Sequence, residues 1–208
     1  KHRETRTAQG SADLFLLSMS EGAAPVVSVH QEEGTVYGLN NRLAAAGNGG
    51  YLLCGTRPGQ LRFAEKDASG NGVYFASLEK DLTAAVVEPL KLMCSEPSSL
   101  SVDGLCASGD GGAWLLLGFS GNVRSLDRNE NWNSGQGKDA LLLRVSANGS
   151  IETAQHYGNG DDLFMKGLVR NGSDQHLFLT GYHHGALSIT DGTQLPAGGK
   201  YNGFVLEL

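Results

Sequence analysis

The chain lacks the features that mark several large classes of protein. Its 208 residues contain no apolar run of the roughly eighteen residues that a membrane helix needs, and residues 1–5 lack the apolar core of a signal peptide. No Lys and Arg cluster offsets the formal net charge of -6. The sequence therefore predicts a soluble chain, as a mature secreted protein would also be, with no nucleic acid partner and no membrane span.

Cysteine and proline are also scarce. The three cysteines, Cys54, Cys94 and Cys106, include no pair at CxxC spacing, so neither a disulfide framework nor a metal site is indicated. We expect free thiols, mostly buried. Against 5 prolines stand 30 glycines, which indicates many tight turns rather than long helices.

Internal repetition is the strongest signal in the sequence. Residues 39–56, 102–119 and 165–182 align without gaps, and their closing glycines, Gly55, Gly118 and Gly181, recur at a constant interval. Each segment has a short apolar stretch, a turn of Gly, Asn, Asp or Ser, and a second apolar stretch. This pattern is typical of a hairpin, whose strands we term A and B.

A second motif predicts a third strand, C, at residues 13–19, 72–78, 139–145 and 202–208. Its apolar residues fall on one face at period two. A turn follows, most clearly at Asn148-Gly149, and then a fourth strand, D, at about residues 25–30, 84–92 and 151–157.

This order predicts an all-β fold, a β-propeller-like array of four-stranded antiparallel blades. The chain would be a single domain of about three complete-equivalent blades with incomplete terminal blades: strands C and D at 11–38, blades at 39–101 and 102–164, and strands A to C at 165–208. A β-sandwich with similar strands and a parallel β-helix are the alternatives. A fixed period favours the propeller over both.

The third and fourth repeats carry a family resemblance. Residues 138–150 (KDALLLRVSANGS), 157–162 (YGNGDD) and 177–181 (LFLTG) resemble the bacterial SBBP-type β-propeller repeat. The first two repeats depart from it, with Tyr37-Gly38 or Cys94-Ser95 in place of the GDD element. The resemblance implies an extracellular, cell-surface or periplasmic bacterial protein and brings no catalytic residues.

A propeller ring must close, commonly with about four to eight blades, or it leaves unpaired edges. The predicted strand order supplies too few blades. We therefore expect another polypeptide, a second copy of the chain or a separated part of the same precursor to supply the missing strands, and an isolated monomer to self-associate or be unstable.

The long loops between strands B and C, at residues 57–71, 120–138 and 183–200, indicate where a ligand would bind. In the second loop Trp132 stands near Arg128 and Asp127, a combination that suits a sugar ring or a peptide. Tyr182 and His183, where the third loop starts, are the further candidate ligand-binding residues on this rim. The alternative for Trp132 is that it packs over its own loop as a small satellite core.

Asp161 and Asp162 could supply oxygen ligands to Ca²⁺, although their spacing is not that of an EF-hand and a turn role is favoured. His183 and His184 are predicted as exposed turn residues. No cofactor is indicated. The predicted function is a non-enzymatic extracytoplasmic binding or scaffold module, with a lectin-like glycan-binding propeller, or an enzyme with a site on the propeller axis, as alternatives.

Overall fold

The computed structural model describes residues 13–19, 26–33, 40–57, 60–63, 66–68, 72–95, 99–158, 161–172, 176–189 and 193–208. Apart from one 3₁₀ position at Ser99, the regular elements in these ranges are β-strands paired antiparallel with their neighbours, so the predicted all-β class is confirmed. No helix in the described part of the chain is long and apolar enough to cross a membrane. Tyr37-Gly38, residues 159–160 and parts of the long loops lie outside the described ranges.

Two sheets have the same order of four strands. Sheet II contains, from one edge to the other, β3 (Arg42–Ala45), β4 (Tyr51–Arg57), β7 (Gly72–Leu78) and β8 (Ala84–Pro89). Sheet III contains β10 (Ser101–Ala107), β11 (Ala113–Phe119), β14 (Asp139–Val145) and β15 (Ile151–Tyr157). These strands confirm the strands A, B, C and D predicted for the two central segments, except that the first D strand ends at Pro89 and not at residue 92.

Two further sheets lie before and after this pair in the sequence. Sheet I contains β1 (Asp13–Ser18), β2 (Val26–Glu33), β5 (Gln60–Phe63) and β6 (Lys66–Ala68). Sheet IV contains β16 (Leu163–Arg170), β17 (Leu177–His183) and β20 (Asn202–Glu207). Strands β1 and β20 confirm the first and last predicted C strands.

Parts of the long B-to-C loops are themselves strands, which the sequence did not predict. Strands β5 and β6 form a hairpin that extends sheet I at β2. Likewise β12 (Asn122–Ser125) and β13 (Asn131–Asn133) form a hairpin that pairs with β9 (Leu92–Cys94), just after β8. A third short hairpin joins β18 (Leu187–Ser188) to β19 (Gln194–Leu195). The first hairpin therefore pairs with β2 of sheet I. The second pairs with β9, the short strand that comes directly after β8 of sheet II in the chain.

Successive sheets pack face to face, because the strands alternate their side chains between two buried layers. Tyr74, Ala76 and Leu78 of β7 share one apolar cluster with Leu14 and Leu16 of β1. The opposite face of β7 belongs to a separate cluster. We call the face that packs on the preceding sheet the front face, and the other the back face.

Front and back faces also meet in the contacts between sheets II and III and between sheets III and IV. We call each contact between successive sheets a junction. Leu141 and Leu143 of β14 pack with Phe75, on the back face of sheet II. Leu142 of β14 instead packs against sheet IV, in a cluster that includes Leu179. The apolar C-strand residues therefore form continuous layers between sheets, and both faces of sheets II and III are buried.

The gap-free alignment of the three closing glycines is wrong at one of them. Gly55 lies opposite Tyr74 and Gly181 opposite Phe204, both on front faces. Gly118 lies opposite Ala140, on the back face of sheet III. A slip of one residue exchanges the two faces of a strand, so Gly118 is not the structural equivalent of the other two glycines.

The same slip corrects the prediction for Cys54. The alignment gave it the position of Leu117 and Thr180 in strand B. In the structure Cys54 lies on the back face of sheet II, and Leu117 lies on the front face of sheet III. The two side chains belong to the same cluster from opposite sides of the junction, so they face each other instead of occupying equivalent places.

The first strands of neighbouring sheets approach one another closely. Strand β10 lies beside both β3 and β16. The Arg42 guanidinium Nε in β3 donates a hydrogen bond to the carbonyl oxygen of Asp103 in β10, at 3.4 Å. Gly104 lies so close to β16 that a Cβ atom there would be 2.5 Å from the Cβ of Leu168.

Tight turns join the strands where the sequence predicted them. In the turn between β14 and β15, the Ser146 N–H donates to the Ser150 carbonyl at 2.9 Å. Gly149 has φ +83 there, a conformation that glycine adopts without a steric cost. The Ala46-to-Gly50 turn between β3 and β4 has the same backbone hydrogen bond, also at 2.9 Å.

Candidate functional site

Trp132, the predicted ligand platform, packs against the protein. It lies in β13 opposite Val123 of β12, and its side chain is partly buried against the cluster between sheets II and III. Val123 itself is fully buried. This geometry agrees with the satellite-core alternative for Trp132, in which the indole closes a small apolar layer under the hairpin.

The polar residues near Trp132 are engaged within the same hairpin. Arg128 donates from Nε and Nη2 to the two carboxylate oxygens of Glu130, at 3.2 and 2.9 Å, and from Nη1 to the carbonyl of Glu152. The Glu130 hydrogen bonds raise the pKa of Arg128 above its ordinary value. Asp127 accepts a hydrogen bond from the Ser125 hydroxyl at 2.8 Å. Arg128 is therefore held both by its own hairpin and by β15.

A cavity of about 320 Å³ lies beside Asp127. Its lining comes from the end of β8, from this hairpin and from the β14–β15 turn: Glu88, Pro89, Lys91, Asp127, Asn148, Gly149 and Ser150. Within the described ranges, no group of three or more His, Cys, Asp or Glu side chains is arranged to hold a metal ion. The cavity is lined mainly by polar surface.

Aromatic side chains assemble at the other predicted loop, at the edge of sheet IV. The Phe164 and Tyr182 rings are stacked at 4.9 Å, and Tyr201 meets Tyr182 edge-on at 5.6 Å. His184 lies 5.9 Å from the same Tyr201 ring. Strand pairing explains the arrangement, since Phe164 of β16 lies directly opposite Tyr182 of β17. We call these four residues the aromatic rim patch.

Cations flank the aromatic rim patch. The ammonium groups of Lys138 and Lys166 each lie 5.6 Å from the centre of the Phe164 ring. At this distance an ammonium is attracted by the negative face of an aromatic ring. Tyr201 is 54% exposed, so its ring remains available to a ligand.

The two aspartates predicted as Ca²⁺ ligands lie at the border of this patch. The Lys138 N–H donates to the Asp162 Oδ1 at 3.2 Å, and the His184 N–H donates to the Asp162 carbonyl at 2.8 Å. The Asp161 Oδ1 lies 3.9 Å from Nδ1 of His184. Asp162 therefore ties the β15–β16 connection to its neighbours, which is the turn role favoured from the sequence.

His183 differs from its prediction as an exposed turn residue. It is the last residue of β17 and is only 3% exposed, because strand alternation turns it to the buried front face of sheet IV. Its Nδ1 lies 2.8 Å from the Gly185 carbonyl oxygen. His184, the next residue, points the other way and is half exposed.

A contact between a buried carboxyl group and an imidazole lies at the start of β14. The Asp139 carboxylate is almost fully buried, and its Oδ2 lies 2.8 Å from Nε2 of His156 in β15. The His156 ring also lies 5.7 Å from the Phe119 ring. Neither residue stands out in the sequence, because they are seventeen positions apart and meet only through strand pairing.

None of the three cysteines forms a disulfide, as expected. Cys54 is fully buried, and its Sγ lies 2.9 Å from the carbonyl oxygen of Tyr74. Burial raises the pKa of the Cys54 thiol strongly, and it raises that of Cys106 to about 11. A thiol with a raised pKa forms little of the reactive thiolate at neutral pH.

The chain matches no protein-family model. No curated protein matches it either. The resemblance to the SBBP-type repeat therefore stays a prediction that depends on the residues quoted above.

Proposed function

We propose that the chain is a non-enzymatic binding or scaffold module, built from consecutive blades of a β-propeller that is part of a larger assembly. One observation carries this proposal: sheets II, III and IV approach one another most closely at their first strands, β3, β10 and β16. Sheets that converge at one edge are the spokes of a propeller, whereas the sheets of a sandwich keep an even separation.

The packing faces and the family resemblance support the same interpretation. Each junction uses alternate residues of strand C, as the repeated face-to-face contact of blades requires. The resemblance to the SBBP-type repeat supports a location outside the cytoplasm. Another polypeptide or a second copy of the chain would contribute the remaining blades.

Distance measurements between spin labels test the radial arrangement. One pair is placed at Gly47 and Asp110, in the turns after the first strands of sheets II and III, and a second at Lys80 and Ala147, in the outer turns. Cys94 and Cys106 are replaced by Ser, and buried Cys54 is retained. Spokes that diverge give a longer distance for the outer pair. Equal distances for the two pairs would reject the propeller.

A second candidate function is carbohydrate binding at the aromatic rim patch. The exposed Tyr201 ring stands edge-on to Tyr182, which leaves an apolar ring face beside polar groups. Asp161 and His184 lie alongside with half-exposed side chains. An aromatic face flanked by a carboxylate and an imidazole suits the apolar face and hydroxyl groups of a sugar.

A glycan array with two variants tests whether a glycan binds at the aromatic rim patch or at the β12–β13 hairpin. We expect the wild-type chain to bind at least one glycan, Tyr201→Ala to lose that binding, and Trp132→Ala, the matched aromatic control, to keep it. Thermal melting checks that both variants are folded. Loss of binding in Trp132→Ala alone would move the site to the hairpin, and a wild-type chain that binds no glycan would exclude this second function.

A further inference from the structure

We propose that the partner which completes the array is a second copy of this chain, and that the front face of sheet I in one copy covers the back face of sheet IV in the other. This inference depends on the proposed propeller. It competes with the second candidate function, because Phe164 and Tyr182 of the aromatic rim patch lie on the same back face of sheet IV as Val205. It names the partner and assigns the contact to two faces that are exposed in one chain.

The front face of sheet I exposes apolar side chains that the equivalent strands bury. Phe15, Leu17 and Met19 are 68%, 51% and 74% exposed. Their counterparts on the front faces of sheets II and III are at most 1% exposed: Tyr74, Ala76, Leu78, Leu141, Leu143 and Val145. Each of those faces is covered by the preceding sheet. The front face of sheet I is therefore as apolar as a buried interface, but nothing in the described part of the same chain covers its three large apolar side chains.

The back face of sheet IV shows the complementary exposure. Val205 of β20 is 75% exposed and Val169 of β16 is 62% exposed. The positions equivalent to Val205 in the two preceding sheets are Phe75 and Leu142, which are 0% and 1% exposed under the next sheet. Phe178, opposite Val169, extends this apolar surface across sheet IV.

The internal junctions indicate that these two faces fit each other. At every junction within the chain, a front face of alternating C-strand residues packs on a back face built the same way. A second copy presents the required back face to sheet I and receives the front face of sheet I on its own sheet IV. Such a head-to-tail contact is heterologous, and it closes when the rotation between copies completes a ring.

Two copies would supply a number of sheets that lies within the usual size of a closed propeller. The described residues of each chain contribute sheets II and III as four-stranded blades and sheets I and IV as partial ones. Closed propellers commonly use about four to eight blades, and two chains would fall within that range. The contact would also remove both exposed apolar faces from water, which favours association.

Light scattering coupled to size-exclusion chromatography tests the contact on the whole chain. We expect a mass of twice the 21.9 kDa chain. Leu17→Asp, which damages only the front face, and Val205→Asp, which damages only the back face, are each expected to be monomeric at concentrations where the wild type is dimeric. Leu126→Asp, an exposed leucine outside both faces, is the matched control and should remain dimeric.

Mixing the two interface variants gives the decisive result. The Leu17→Asp chain keeps an intact back face and the Val205→Asp chain an intact front face, so the mixture should form a one-to-one complex through a single junction. Circular dichroism melting checks that each variant is folded. A monomeric wild type, or variants that keep the wild-type mass, would overturn the contact, as would a mixture that forms no complex.

The spin-label distances separate this failure from failure of the proposed function. A monomer whose outer labels remain farther apart than its inner labels overturns the second-copy contact and leaves the propeller standing. Equal label distances remove the propeller, whatever the mass of the particle.

Discussion

Nε2 of His156 lies 2.8 Å from Oδ2 of Asp139, so an imidazole that is one third exposed covers a carboxylate that is 2% exposed. The other carboxylate oxygen, Oδ1, is buried and has no hydrogen-bond partner among the described residues. Gly158 closes the site, since a Cβ at that position would collide with the carboxyl group. Within the described residues, His156 is thus the side-chain partner of a buried anion.

Replacing His156 by Ala should therefore destabilise the protein. We expect the free energy of unfolding to fall by about 3 kcal/mol, because the change leaves a buried charge without its partner. Urea denaturation measures the loss. The double variant Asp139→Asn with His156→Ala removes the charge as well and should be more stable than His156→Ala alone. A double variant that is less stable than the single one would contradict this account.

Gly104→Ala tests the close approach of the first strands. The new methyl group would lie 2.5 Å from the Cβ of Leu168 in sheet IV, so the two sheets would have to separate. Overpacking of this kind costs about 1 to 3 kcal/mol. Gly47→Ala, which has no neighbour within 4 Å, is the matched control and should melt close to the wild-type temperature. Equal melting temperatures for the two variants would argue against the contact.

The lowered pKa of Asp110 should make the free energy of unfolding depend on pH. Hydrogen bonds from the Ser108 hydroxyl and the Gly112 N–H, together with Arg144, hold the pKa of Asp110 below its ordinary value. A pKa that is lower in the folded state stabilises the protein above the unfolded value of about 4 and loses that effect as the pH falls through the folded value.

Comparison with Asp110→Asn isolates this effect. We expect the wild type to be more stable than the variant at pH 7 by less than about 1 kcal/mol, because the carboxylate is exposed to solvent and screened. The difference should shrink as the pH falls below about 4. Chemical denaturation of both proteins across this range provides the measurement, and a difference that grows on acidification would have the wrong sign.

Native-state alkylation should distinguish the three cysteines. The buried Cys54 thiol, with its raised pKa, is expected to stay unmodified by iodoacetamide in the folded protein and to react after unfolding. Cys106, whose pKa is about 11, should react slowly. Cys94, half buried in β9, should react first. Peptide mass spectrometry reads the order, and early modification of Cys54 would indicate that the junction between sheets II and III opens.

Local patterns predicted most of the fold. The C strands were recognisable because their apolar residues alternate and a glycine-containing turn such as Asn148-Gly149 follows. The face on which Gly118 lies was not predictable in this way. It depends on the pairing of β11 with β14, which an alignment of residues along the chain does not contain. The β12–β13 hairpin was missed for a related reason, since its partner β9 is distant in sequence.

The candidate functional sites were also predictable only in part, because some of their contacts depend on strand pairing. Tyr182, Asp161 and Asp162 were selected from the sequence, and the structure brings them to one edge of sheet IV. Phe164 was missed because its role depends on its position opposite Tyr182, across the β16–β17 pairing. Trp132 was selected for its residue type, but burial in a partly apolar hairpin decides its contacts.

The hairpins that follow the outer strands have a consequence for synthesis on the ribosome. Strand β9 cannot pair with β12 until β12 has been translated, about thirty residues later. Strand β2 likewise cannot pair with β5 until β5 has been translated. While translation continues, these strands have an open edge that can pair with other nascent chains. A pause in translation between residues 95 and 122 would prolong that exposure, and aggregation at this stage should depend on codon speed within that interval.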